Sequence, residues 1–191
     1  GQGMLEYLFG SKTRLKVLHL FYREPGTRFF VRELARLAET QVNAVRRELA
    51  TLVTVGVIKE LTEEHEGRRK FYVLDTESLI HPELSALLMK TALLSEQAFI
   101  RALRSMKDVS LVLLSGRFAG DPALPTDVLV VGAVAERSMR QLVDQFEKKI
   151  GFEIRYTILT PDEFKERKQM MDRFLYAILD GKPIKIIERE V

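Results

Sequence analysis

The spacing of apolar residues along this chain changes character at Gly56, and that change limits the fold more than any other feature. Before it, apolar side chains recur at helical intervals in three short stretches. Leu15, Leu18, Phe21 and Tyr22 form the first stripe, and Pro25-Gly26 closes it. Val31, Leu34, Ala35 and Ala38 form the second, at i, i+3, i+4 and i+7. Thr40 is placed as N-cap of a third helix, whose inner stripe is Val42, Val45, Leu49, Leu52 and Val53 and whose C-terminal cap is Gly56. After Gly56, residues 57–61 and 71–74 are rich in β-branched and aromatic side chains. The polar Thr62-Glu63-Glu64-His65-Glu66-Gly67 between them suits a hairpin loop. Three helices and a hairpin, with a tight turn between the second and third helices, is the order of a winged helix-turn-helix.

The second half reads differently. Residues 83–106 predict one long helix with apolar residues on more than one face, including Leu84, Leu88, Leu93, Phe99 and Leu103. Residues 109–114, 128–134 and 152–159 predict strands. Met139, Leu142, Val143 and Phe146 are the stripe of a helix over 138–150. Thr160-Pro161-Asp162-Glu163 is a capping box with proline at the first helical position, opening a helix that runs to about Asp180. The expected architecture is α+β: a winged-helix domain over residues 1–80, a connecting helix over 81–106, and an α/β domain on a small mixed sheet over 107–191.

Composition narrows the function. There is no cysteine among the 191 residues, so disulfides, thiolate metal sites and cysteine nucleophiles are excluded together. His19, His65 and His81 are widely spaced, and none has a partner that suggests acid-base chemistry. Neither a metal nor a catalytic residue is expected. No apolar run approaches the roughly 18 residues of a membrane helix, and no leader pattern opens the chain, so a cytoplasmic protein without membrane partners is expected. The net charge is +3, with 13 basic and 11 acidic residues over 1–80 and 17 and 16 over 81–191. Such a thin excess makes any nucleic-acid reading depend on where particular arginines point.

With its stripe inward, the third helix leaves Thr40, Ala44, Arg47 and Thr51 outward, flanked by Gln41, Asn43 and Glu48. Arg47 is the best-aimed cation, and Arg46, on the shoulder of the stripe, suits a phosphate or an acidic neighbour. Arginine bonds the O6 and N7 edge of guanine and Asn or Gln the edge of adenine, so Gln41, Asn43 and Arg47 carry major-groove chemistry. Arg68, Arg69 and Lys70 stand at the base of the returning strand, where a hairpin reaches backbone phosphates. The acidic tip (Glu63, Glu64, Glu66) restricts contact to that base. A solvated polar face accounts for the same residues; the helix spacing and the following hairpin favour DNA.

Leu8-Phe9-Gly10-Ser11-Lys12-Thr13-Arg14-Leu15-Lys16-Val17-Leu18, Phe30-Val31-Arg32-Glu33-Leu34-Ala35, Val45-Arg46-Arg47-Glu48-Leu49 and Gly56-Val57-Ile58 together resemble the winged-helix domain of prokaryotic ArsR/MarR-like transcriptional regulators. The resemblance covers about residues 5–76. It implies sequence-specific binding of double-stranded DNA, usually as a homodimer.

The stretch from Val109 through Ser115-Gly116-Arg117-Phe118-Ala119-Gly120-Asp121, followed by Pro125-Thr126-Asp127-Val128-Leu129, resembles the minimal nucleotidyltransferase domain. That family has a Gly-Ser pair after its first strand and Asp-x-Asp on its second, where carboxylates two apart share a face and hold Mg²⁺ against nucleotide phosphates. Here Arg117 stands in place of the serine and Leu129 in place of the second aspartate. Glu153 occupies the position of a further carboxylate, but Asp127 and Glu153 alone make a poor octahedral site. The resemblance therefore implies a domain without catalysis, for dimerisation or for sensing a nucleotide or other phosphate-containing effector at Gly116, Arg117, Asp127 and Glu153. The rival reading is an active transferase using Mg²⁺ and ATP, with the winged helix as a docking module; otherwise no cofactor is expected.

Overall fold

A computed structural model describes residues 4–65 and 67–189. Glu66 of the acidic hairpin tip thus lies outside the described residues. The chain divides into two compact units, one through His81 and one from Pro82. The class is α+β, with one two-stranded and one four-stranded sheet among the described residues.

The first unit contains α1 (Met4–Phe9), α2 (Lys12–Arg23), α3 (Val31–Leu37), α4 (Val42–Val55), β1 (Ile58–Glu63) and β2 (Arg69–Leu74). α1, at six residues, is too short to announce itself by periodicity. α2 begins where the Ser11 hydroxyl accepts from the Arg14 N–H at 3.1 Å. Val17, Leu18, Phe21, Leu34, Val45 and Leu49 are all buried, and each contributes on the order of 1.5–3 kcal/mol of transfer free energy. Gly56 closes α4 at φ 83°, in the left-handed region that glycine enters without penalty. β1 and β2 pair antiparallel with Ile58 opposite Leu74, and Phe29 joins β2 by a reciprocal backbone pair with Tyr72 at 2.9 and 2.8 Å.

One cap differs from expectation. The N-cap of α4 is Gln41, not Thr40, and its side chain makes no capping bond. The Thr40 N–H instead donates to the Ala35 carbonyl at 3.0 Å, with Glu39 at φ 51°. Thr40 thus helps satisfy the end of α3, and Gln41, extended at φ −78° and ψ 144°, takes the N-cap position of α4.

The boundary between the units falls within the first turn of α5 (His81–Ser95), which is followed by α6 (Gln97–Ser105). The single helix expected over 83–106 is therefore two, broken at Glu96 with φ −100° and ψ 61°. The break is well satisfied: Gln97 Nε2 donates to the Leu94 carbonyl at 2.8 Å, and Glu96 pairs with Lys149 at 3.2 Å. It also frees α6 to bury its own stripe of Phe99, Ile100 and Leu103, with Phe99 stacked on Phe146 at a centroid distance of 4.2 Å.

The remaining elements are β3 (Val109–Leu114), a 3-10 turn (Gly116–Ala119), β4 (Val128–Gly132), α7 (Glu136–Ile150), β5 (Tyr156–Leu159), α8 (Pro161–Gln169), α9 (Arg173–Asp180) and β6 (Ile184–Glu188). The sheet order is β5-β4-β3-β6; β4 and β5 run parallel, and the other pairs antiparallel. Every residue of β4 is buried, as a strand covered on both faces must be. Leu113, Leu129, Val131 and Leu159 pack with Leu175 and Ile178 of α9.

Three local expectations change here. The strand expected over 152–159 shortens to β5. The capping box forms, with Thr160 accepting from the Glu163 N–H at 3.1 Å and Glu163 from the Thr160 N–H at 2.7 Å. Its helix, however, stops at Met170, and Asp172 caps a new one by accepting from the Leu175 N–H at 3.0 Å. Beyond Pro183, the isoleucine-rich run Ile184-Lys185-Ile186-Ile187 adds β6 to the edge next to β3.

Candidate functional site

The predicted residues fall into two groups, each within one unit. On α4 and the turn leading into it, Gln41, Asn43, Arg46 and Arg47 are exposed, whereas Thr40 and Ala44 are half-buried. Among the described residues no hydrogen bond or ion pair engages the Arg46 or Arg47 guanidinium. Thr51 turns back, donating to the Arg47 carbonyl at 3.2 Å.

Glu48 departs from expectation. Helical periodicity places it beside the outer face, but its side chain is only 14% exposed. It accepts from the Ser11 hydroxyl at 2.8 Å and from Arg14 Nε at 2.7 Å. Arg14 also donates to the Phe9 carbonyl at 3.1 Å. Because Glu48 is the sole acidic residue of α4, this turn toward α2 leaves the outward face of the helix without a carboxylate.

At the hairpin, Lys70 is ion-paired to Glu60 at 2.8 Å. Tyr72 donates to the same carboxylate at 3.0 Å. Burial, then that bond to Glu60, pushes the Tyr72 phenol up to about 12, while the Lys70 and Tyr72 bonds hold Glu60 below its ordinary range. The Arg69 guanidinium lies 4.3 Å from the centre of the Phe30 ring. Arg68 is exposed with φ 57°. Arg28, which periodicity did not mark, lies 4.9 Å from the centre of the Phe71 ring and 3.6 Å from Glu63. Of the three basic residues expected at the hairpin base, Lys70 is thus committed to an acidic neighbour, and Arg68 and Arg69 remain open to solvent.

In the second unit, Asp127 is fully buried and gripped from two sides. Arg117 donates its backbone N–H to Oδ1 at 2.9 Å and its Nη2 to Oδ2 at 2.8 Å, with Nε between the two oxygens. Arg155 repeats the pattern, its N–H reaching Oδ2 at 3.1 Å, Nε reaching Oδ2 at 3.2 Å and Nη2 reaching Oδ1 at 2.9 Å. Burial alone would raise the carboxyl pKa, but the bonds from Arg155 and then Arg117 outweigh it and hold the group at about 2. Gly116 is required here: at φ 53°, a Cβ would stand 2.4 Å from Asp127 Oδ1 and 2.5 Å from the Thr126 carbonyl.

The parallel register explains why Arg155 belongs to the cluster. Val128 lies opposite Tyr156, so the residue before each strand faces its counterpart, and Asp127 donates its N–H to the Arg155 carbonyl at 2.8 Å. No sequence signal selected Arg155, because strand pairing across 28 residues leaves no local trace. Glu153 joins through its backbone carbonyl, which accepts from Arg117 Nη2, while its side chain is exposed.

These residues do not fit a divalent metal. Both oxygens of Asp127 are committed to arginine donors, Leu129 is fully buried in the apolar cluster, and Glu153 enters as a carbonyl already in use. The charge of Asp127 is instead neutralised by the two guanidiniums of Arg117 and Arg155. Among the described residues no cluster of three or more His, Asp or Glu side chains suits a metal.

No helix among the described residues is long and apolar enough to cross a membrane. No protein-family model matches the chain, and no curated protein matches it.

Proposed function

We propose that the protein is a transcriptional regulator that binds double-stranded DNA through α4 and the hairpin, as a homodimer, with a second unit of nucleotidyltransferase-like descent that has lost catalysis. One observation carries the reading: the acidic residue of α4 turns inward to Ser11 and Arg14, so Gln41, Asn43, Arg46 and Arg47 form an outward face free of carboxylates. Supporting it, α3 and α4 are joined by a four-residue turn and followed by an antiparallel hairpin, the order in which a second helix enters a major groove. Arg47 and Asn43 read base edges, and Arg46, Arg68 and Arg69 hold phosphates.

For the second unit, the saturation of Asp127 by Arg117 and Arg155 favours a non-catalytic role. The partly exposed edges of the same two arginines, whose side chains are 26% and 42% exposed, support an effector that is a nucleotide or another phosphate-bearing molecule.

Selection from random duplex DNA tests the reading. The protein is expected to enrich one near-palindromic sequence. Arg47→Ala is expected to weaken binding to that sequence by roughly 5–150-fold, the loss of one bidentate base contact, and to relax preference at one base pair. Equal, unselective binding by the parent and by Arg47→Ala refutes it.

A further inference from the structure

α5 carries two apolar faces. Ala86, Leu88, Met89 and Leu93 are buried, whereas Leu87 and Leu94, seven residues apart, remain 37% and 53% exposed. At about 100° per residue, Leu87 and Leu94 point almost the same way. Glu83 and Lys90, also seven apart, lie together along one flank of that stripe, and Leu84 and Thr91 lie along the other. Among the described residues, no hydrogen bond or ion pair engages the Glu83 or Lys90 side chain.

We propose that this face of α5 docks on the same face of a second copy of the chain, with the two helices antiparallel about a two-fold axis near Leu87. With the axis at Leu87, Leu87 of each copy meets its counterpart, while Leu94 lies at the end of the overlap, level with the residue just before α5 of the other copy; the charges select both the partner and its direction. In a parallel pair, each flank meets the opposite flank of its partner, so Glu83 and Lys90 would face the uncharged Leu84 and Thr91. In an antiparallel pair, each flank meets itself. An axis at Leu87 then brings Glu83 of one copy to within about one residue rise, roughly 1.5 Å, of the level of Lys90 on the other. The two-fold makes that contact twice, which is the self-complementarity an isologous interface requires. A pair of 15-residue helices covers less than the roughly 800 Å² per partner of a standard interface, so the association is concentration-dependent. The inference supplies a surface for the homodimer of the DNA-binding reading but rests on α5 alone.

Sedimentation of the full chain, without DNA, over a concentration series tests it. The parent is expected to be a reversible dimer. Glu83→Lys and Lys90→Glu, which each set like charges against one another twice, are expected to weaken dimerisation at least about tenfold. The double variant Glu83→Lys/Lys90→Glu restores opposite charges and is expected to return close to the parent. Leu87→Lys is expected to be monomeric, with all variants keeping the parent's thermal midpoint within a few degrees. A parent that stays monomeric at every concentration, a Leu87→Lys variant as dimeric as the parent, or a double variant no better than the singles overturns the proposal. DNA binding by the parent is scored separately, so either reading can fail without the other.

Discussion

Arg117 meets Asp127 through its backbone and its side chain together, with its N–H 2.9 Å from Oδ1 and its Nη2 2.8 Å from Oδ2. Arg155, the residue just before β5, approaches the same buried carboxylate with its own N–H, Nε and Nη2. The cluster therefore joins the loop after β3, the start of β4 and the approach to β5 through one negative charge.

Asp127→Asn is expected to destabilise the second unit by about 3 kcal/mol, because two partly buried guanidiniums lose their counter-charge. The sign of the pH dependence follows from the folded pKa of about 2, below the ordinary 3.8. The stabilisation is complete above pH ~4 and is lost as the pH falls toward 2. Chemical denaturation at pH 7, 4 and 2.5 should show this acid-dependent component in the parent and its absence in Asp127→Asn.

Gly116→Ala combines a left-handed backbone with a Cβ at 2.4 Å from Asp127 Oδ1 and 2.5 Å from a backbone carbonyl. A loss of about 2–4 kcal/mol is expected. Gly26→Ala, at φ 89° but with nothing within 4 Å of the added Cβ, is expected to cost only about 1 kcal/mol. Comparing the two denaturation midpoints separates crowding from backbone strain.

Glu48→Ala leaves the Ser11 hydroxyl and Arg14 Nε without their acceptor, at a cost of about 1–3 kcal/mol. Glu48→Gln keeps an acceptor oxygen and is expected to lose about half as much. Both variants retain Arg46 and Arg47, so the slope of DNA affinity against salt should stay that of the parent. A steeper slope in Glu48→Gln would mean that Glu48 opposes the phosphates from the outer face.

His81 stacks on Tyr22 at 5.4 Å with the rings 14° apart, and among the described residues its buried Nδ1 has no partner. Burial lowers its pKa below 6.5, against the pull of Asp75, and burial lowers His19 likewise. The unfolded chain therefore binds protons that the folded one resists, so stability is full above about pH 6.5 and declines as the pH falls below it. His81→Phe retains the stacked ring without the proton and should flatten part of that decline between pH 7 and 5, leaving the His19 share.

What could be read along the chain was whatever a few neighbouring residues decide. The stripe Val45, Leu49 and Leu52 placed α4, Gly56 ended it, and Thr160 with Glu163 opened α8 through bonds spanning three residues. Even there neighbours compete: Thr40 has the chemistry of a cap, but its N–H closes the helix before it.

The aspartate at 127 and the leucine at 129 were visible in the sequence as a broken pair of carboxylates, and so was the poor fit to a metal. Tertiary structure decided what replaced it. Parallel pairing of β4 with β5 in one register brings Arg155 to Asp127 across 28 residues, and the packing of α2 against α4 draws Glu48 to Ser11 across 37. Periodicity and caps are local free energies that a short segment carries with it. A buried charge instead takes its partner from whichever chain segment the fold brings within about 3 Å, and that choice belongs to the sheet register and the helix packing as a whole.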